Sequence, residues 1–143
     1  MPSRLSKKEV RVGCFTLDRD VIFWKKAWVS RSKTEKSSND IMVIVKLLVP
    51  RGAWLVVPQD EAVGMAICNM YEKLRVSTAR VLSIRSIGWN KRYTRAHSDW
   101  NTAFEYRQGR VVKPEGFYSG YKIVCAGGIH CFRTRRQAVA YDL

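Results

Sequence analysis

Between residues 73 and 98 the chain carries Lys73, Arg75, Arg80, Arg85, Lys91, Arg92 and Arg95 and no acidic residue, with Trp89 and Tyr93 set among them. Ammonium and guanidinium groups neutralise phosphates, and an exposed ring can stack on an unpaired base. The pattern fits contact with nucleic acid. The same residues fit a second reading equally well, in which the rings pack inside and the cations face solvent or an acidic protein partner. Both readings stay open on the sequence.

Histidine and cysteine offer the other chemistry. His130 lies between Cys125 and Cys131, but zinc takes ligands at separable spacings, and neighbours in a strand point to opposite faces. No fourth ligand is evident, so neither a metal nor a cofactor is expected. His130 is read as packed or hydrogen-bonded below the Gly127-Gly128 turn. A nucleophilic pair would join Cys125 or Cys131 to His97 or His130, and Asp99 near His97 would make an acid–base pair. Neither comes with an orienting third group or an oxyanion site. The sequence has no P-loop and no dinucleotide glycine fingerprint. The expectation is a protein with no catalytic residues and no small-molecule substrate.

These side chains sit in a chain of 143 residues, 46% of them apolar, with five Trp, six Tyr and five Phe. That is enough for a single domain with a real core. No run approaches the roughly 18 apolar residues of a membrane span. No apolar segment follows the basic start, so no secretory signal is read. Cys14, Cys68, Cys125 and Cys131 show no C-x-x-C spacing and are expected as reduced thiols. Twenty-six Lys and Arg against twelve Asp and Glu give a net charge of +14. Such an excess attracts polyanions without naming one.

The elements that must hold these residues can be read in order. Residues 1–8 form a basic arm with little structure of its own, and residues 9–143 form one domain. Alternation predicts a strand over 10–17. Residues 21–29 fit a strand or a short helix by periodicity, and their aromatic and β-branched content favours the strand. The polar stretch 30–40 is a loop, in which Arg31, Lys33 and Lys36 could contact a polyanion, although charge runs are more commonly solvated. Residues 41–49 are apolar throughout and closed by Pro50, as in a central strand buried on both faces. Arg51-Gly52 turns the chain so that 53–57 returns as a hairpin partner. Residues 60–73, with Asp60 as cap and Ala62, Met65, Ala66, Met70 and Lys73 at helical spacing, predict the main helix. A strand follows over 79–87, with Val81 on one face and Leu82 and Ile84 on the other, then an irregular loop to Trp100. Phe104 and Tyr106 alternate before a turn at Gly109. Tyr121, Ile123 and Cys125 alternate before Gly127-Gly128, and 129–132 make a short last strand. Thr134 with Gln137 is a capping-box pattern opening a short terminal helix. The expected fold is therefore α+β, a single compact domain. A twisted, mostly antiparallel sheet is covered by one main helix at about 60–73 and closed by the short C-terminal helix.

The C-terminal pattern also resembles a family. Its residues are Phe104, Tyr106, Gly109, Pro114, Cys125, Gly128, Ile129, His130, Phe132, Thr134, Arg135 and Tyr141, with further blocks at 45–50 and 73–84. They look like a small domain of unknown function found in large DNA viruses and some bacteria, usually ahead of pentapeptide-repeat arrays. Leu74 stands where that family usually has a cysteine, and no repeat array follows the motif in this sequence. The resemblance implies a fold and a viral setting, not a reaction. Together with the charge it makes the expected function a non-catalytic, basic binding or structural protein of a large DNA virus. It would contact an acidic protein partner, such as a capsid component, or nucleic acid. The expected location is the virion, or the host-cell cytoplasm or virus factory, and the protein is not expected to be secreted.

Overall fold

The computed structural model describes residues 2–30, 40–59, 73–88, 90–98, 104–121 and 127–141. Its frame is a pair of long antiparallel strands, β3 (Val21–Val29) and β4 (Ile41–Val49), paired along their full length from Val21↔Val49 to Val29↔Ile41. Both are rich in β-branched and aromatic residues, which pack well on a pleated surface. Before them come β1 (Ser3–Arg4) and β2 (Gly13–Thr16). After them come β5 (Trp54–Val57), β6 (Leu74–Val76), β7 (Ala79–Ser86), β8 (Arg92–Tyr93), β9 (Arg95–His97), β10 (Glu105–Arg107), β11 (Val111–Val112) and β12 (Ile129–Cys131). An eight-stranded sheet in the order β10-β9-β3-β4-β7-β11, with β1 on β3 and β8 on β7, curls into a half-barrel. A second sheet runs β12-β6-β5-β2.

Alternate residues of β3 and β4, from Val21 and Phe23 to Val45 and Leu47, face inward. They meet Leu55, Val76, Ile129 and Cys131 of the second sheet in one buried cluster. The free edge of β3 is divided among three segments. The arm strand β1 pairs with Val21 and Ile22 in parallel, Phe132 bridges to Trp24, and His97 pairs with Trp28. Phe132 follows directly on β12, so it carries the chain from the second sheet across to the first.

The structure overturns the α+β expectation. Strands make up 50% of the described residues and helices 8%, and among the described residues no helix is longer than Arg135–Ala140. The stretch 60–72, where the main helix was expected, lies outside the described residues. The short terminal helix is present. Thr134 Oγ1 accepts from the Gln137 amide and the Gln137 side chain accepts from the Thr134 amide, closing the capping box.

The expected hairpin of 41–49 with 53–57 does not form either. Both edges of β4 are taken, by β3 and β7, so no ladder remains open to β5. The Arg51-Gly52 turn is instead tied to the end of β2: the Gly52 amide donates to the Leu17 carbonyl and the Leu17 amide to that of Ala53. Trp54–Val57 therefore enters the second sheet beside β2.

In β7, Val81 and Ile84 are both buried in the core, though they were expected on opposite faces. The register against β4 slips between Lys46 and Leu47, from Ser83 to Val81. Leu82 is the extra residue of that bulge, and a bulge resets the alternation. The region read as an irregular loop before Trp100 holds β8 and β9. The strand expected at 121–125 falls outside the described residues beyond Tyr121, which sits in a bend. The N-terminal arm is pinned down: Leu5 is buried, and Arg19 donates to Ser3 Oγ and to Glu9.

Candidate polyanion-binding face

The bulge at Leu82 has a consequence for charge. Arg80 and Arg85 are five residues apart and would point to opposite sides of a regular strand. With one residue set out of register, both lie on the outer face of the half-barrel. Direct pairing places their neighbours there too: Lys46 opposite Ser83, Leu48 opposite Arg80, Ile44 opposite Arg85, and Arg92 opposite Arg85. Lys46, Arg80, Arg85 and Arg92 thus form a cross-strand patch. Arg80 and Arg92 are exposed, and Lys46 and Arg85 half-exposed. Lys46 lies over the Trp24 ring at 5.4 Å, Arg80 donates to the Gly109 carbonyl, and Arg85 approaches Asn90 at 3.5 Å. None of the four forms an ion pair among the described residues. The terminal helix packs on the same face through Ala138, against Ile44 and Trp24, and leaves Arg135 and Arg136 exposed.

Five of the described carboxylates have partners elsewhere. Glu9 and Asp18 are held by Arg19, and Asp20 accepts from the Arg51 amide. Glu105 sits between Arg95 and Arg107 at the β9–β10 edge. Burial raises the Glu105 carboxyl, but hydrogen bonds from those two arginines outweigh it and hold the group below the usual range. The Asp40 side chain is inaccessible and lies 3.6 Å from His97 Nε2, while His97 Nδ1 lies 3.1 Å from the Ser98 carbonyl. The acidic neighbour of His97 in the described structure is therefore Asp40. Asp99 lies outside the described residues.

The other residues singled out by sequence separate into two groups. Lys73 and Arg75 are not on the surface. Lys73 is buried, with Nζ 2.9 Å from the Tyr141 hydroxyl and 4.9 Å from its ring. Arg75 is fully buried, and its guanidinium donates to the Tyr118 carbonyl at 3.1 Å and to that of Gly120. Arg95 is engaged with Glu105. Lys91 is exposed over the Tyr93 ring, and Tyr93 packs against the core. Trp89 lies outside the described residues.

The motif residues are largely architectural. Phe104 meets Tyr106 edge to face at 5.3 Å. Tyr106 is buried, and that burial pushes its hydroxyl well up from the usual phenol range. Gly109 takes φ +82° and Gly128 φ +146°. Ile129 and Phe132 are buried, and Phe132 packs on Tyr141 at 5.1 Å. Cys125 lies outside the described residues. His130 and Cys131 alternate in β12, with the Cys131 side chain in the core. Burial pushes the Cys131 thiol up to about 12, Lys25 nearby opposing it weakly, so it is a poor nucleophile near neutrality. The His130 carbonyl accepts from Lys25 at 2.9 Å. Phe104, Tyr106, Pro114, Gly128 and His130 help line a cavity of about 280 Å³.

Sequence reasoning missed a set of aromatics. Trp54, Tyr118 and Tyr121 are exposed and, with Cys14, Phe117, Ser119 and Gly120, line a cleft of about 700 Å³ on the outer face of the second sheet. Trp54 looked like one more residue of a strand, and nothing in the spacing linked it to the segment 117–121. No helix among the described residues is long and apolar enough to cross a membrane.

The description that matches this chain is a family of unknown function, DUF5758, over residues 11–138. No curated protein and no solved structure matches.

Proposed function

Since the chain belongs to the family of unknown function DUF5758, whose matched residues include all of the outer-face cations, we propose that it is a non-catalytic basic binding domain that engages a polyanion. The observation that carries this reading is the patch of Lys46, Arg80, Arg85 and Arg92. These cations come from three strands, share one face, and have no carboxylate partner among the described residues. Keeping like charges together is unfavourable unless a counter-charge arrives from outside. The incoming surface is the acidic face of a protein, a capsid component among them, or the phosphates of nucleic acid. The viral setting, with a place in the virion or virus factory, rests on the motif resemblance alone.

The test is a salt series. Binding of the purified protein to fluorescent single- and double-stranded DNA, and to polyglutamate, is measured from low to high ionic strength. Phosphate contacts give a linear fall of log affinity with log salt, and the slope counts them. Replacing Lys46, Arg80, Arg85 and Arg92 together by Gln should lower that slope by about three to four contacts. No binding to any of the three polymers at low salt, despite a charge of +14, refutes the reading.

A further inference from the structure

The cleft at Trp54 lies on the second sheet, apart from the cation patch of the half-barrel, and offers a second kind of contact. Exposed rings are rare enough to need a reason when several share one hollow. Here Trp54 is 48% exposed, Tyr118 45% and Tyr121 41%. The walls are not loosely hung. A Cβ at Gly120 would lie 2.4 Å from the Tyr118 ring, so the missing side chain lets that ring fold onto the backbone. The guanidinium of Arg75, buried below, sits 5.6 Å from the centre of the same ring and binds the carbonyls on either side of Ser119. Tyr118 is therefore held in place before any ligand arrives, which lowers the entropy cost of binding.

The lining combines flat apolar faces with a few polar groups, namely the hydroxyls of Tyr118, Ser119 and Tyr121 and the thiol of Cys14. That is the complement of a nucleobase, which has two apolar faces and a polar edge. The attached phosphates would draw on the +14 net charge of the protein, to which the exposed Arg11 and Arg51 contribute without forming an ion pair among the described residues. We infer that the cleft seats an unpaired base, so that the polyanion is single-stranded nucleic acid held by stacking as well as by phosphate contacts. This inference rests on the polyanion reading above and names its partner. In a duplex both faces of each base are already stacked, so only a single strand can use the cleft.

The experiment compares a labelled oligothymidylate with its duplex on oligoadenylate, at one moderate salt concentration, by fluorescence anisotropy. Intrinsic tryptophan emission is followed in parallel. The single strand should bind more tightly and quench tryptophan emission. Trp54→Ala should weaken the single strand by roughly 10-fold and leave the duplex unchanged, while Trp54→Phe should retain most of the affinity. If Trp54→Ala fails to fold by circular dichroism, Tyr121→Ala takes its place with the same expectation. Equal binding of both DNA forms, with Trp54→Ala without effect, overturns the base site and leaves the polyanion reading standing. Salt-sensitive binding to polyglutamate with none to DNA overturns it in favour of an acidic protein. Failure to bind any polyanion overturns both.

Discussion

The guanidinium of Arg75 lies 3.1 Å from the carbonyl of Tyr118, 43 residues further along the chain. It reaches the Gly120 carbonyl with its other arm, so one buried side chain clasps the segment 117–121 onto the second sheet. A planar fork of donors can span two carbonyls, whereas an ammonium is a single point. Arg75→Lys should therefore lower stability by about 1–3 kcal/mol, and Arg75→Met by more, because buried carbonyls lose their donors. Urea unfolding measures this. If Arg75 contacted a bound polyanion instead, its loss would lower the salt slope of binding and leave the unfolding midpoint in place.

Gly128 is the second half of the same clasp. Its φ of +146° is open to glycine and strained for other residues. An added Cβ would lie 3.1–3.3 Å from the aliphatic stem of Arg75. Gly128→Ala should cost about 1–3 kcal/mol from backbone strain, with crowding of Arg75 in addition. Gly127→Ala should also fail, for a different reason, since its Cβ would meet the Gly116 carbonyl oxygen at 2.6 Å. In the double variant Arg75→Met with Gly128→Ala, the strain part of the Gly128 loss should add to the Arg75 loss, because backbone strain does not depend on the guanidinium.

Tyr141 joins two lysines at the end of the chain. Its carbonyl accepts from Lys26 and its hydroxyl from Lys73, while its ring packs on Phe132. Tyr141→Phe removes only the hydroxyl and should cost about 1 kcal/mol. Tyr141→Ala removes the ring as well and should cost about 3 kcal/mol. Thermal melting distinguishes the two. Equal losses would mean that the ring contributes nothing to the packing.

The same residues show what the sequence could and could not reveal. Strands β3, β4 and β7 were legible because their apolar runs are long and bounded by breakers, and the terminal helix because Thr134 and Gln137 make a local cap. The partner of 54–57 was not legible. It depends on β4 having both edges occupied, a fact about strands far apart in the chain. Nor was the bulge at Leu82, whose one-residue slip decides that Arg80 and Arg85 share a face. Charge counts saw seven cations between 73 and 98, but burial separates Lys73 and Arg75 from the rest. Arg75 reads as a surface cation until the segment it clasps is known.

Cys131 should behave as a core residue. Burial holds its thiol at about 12 against an ordinary value of 9.0. The group thus keeps its proton in the fold, and the stability this represents is present below about pH 9 and is lost as pH rises towards 12. At pH 9 iodoacetamide should label Cys14 before Cys131. Burial raises that thiol too, but it is only half-buried and Arg75 opposes the shift. Cys131 should react only as fast as the protein unfolds, which peptide-resolved mass spectrometry with and without urea would show. Ready labelling of Cys131 in the folded protein would place it in an accessible site.

The N-terminal arm should come loose in acid through Glu9. Hydrogen bonds from the Arg19 side chain and the Ser6 amide draw its carboxyl from 4.5 down to about 2, with Arg19 Nη2 at 2.9 Å and the Ser6 amide at 3.0 Å. A depressed folded value means that the contribution is complete above about pH 4.5 and disappears as pH falls to about 2. Arg19 also holds Ser3, so losing Glu9 frees the guanidinium that ties β1 to the β2–β3 turn. Amide exchange at Ser3, whose N–H donates to the Asp20 carbonyl, should therefore quicken between pH 4.5 and 2 beyond its intrinsic pH dependence. Glu9→Gln should exchange quickly at every pH, because its neutral amide binds Arg19 weakly. If Glu9→Gln instead keeps Ser3 protected, the arm is held by the burial of Leu5 and the β1 ladder, and the acid tether is incidental.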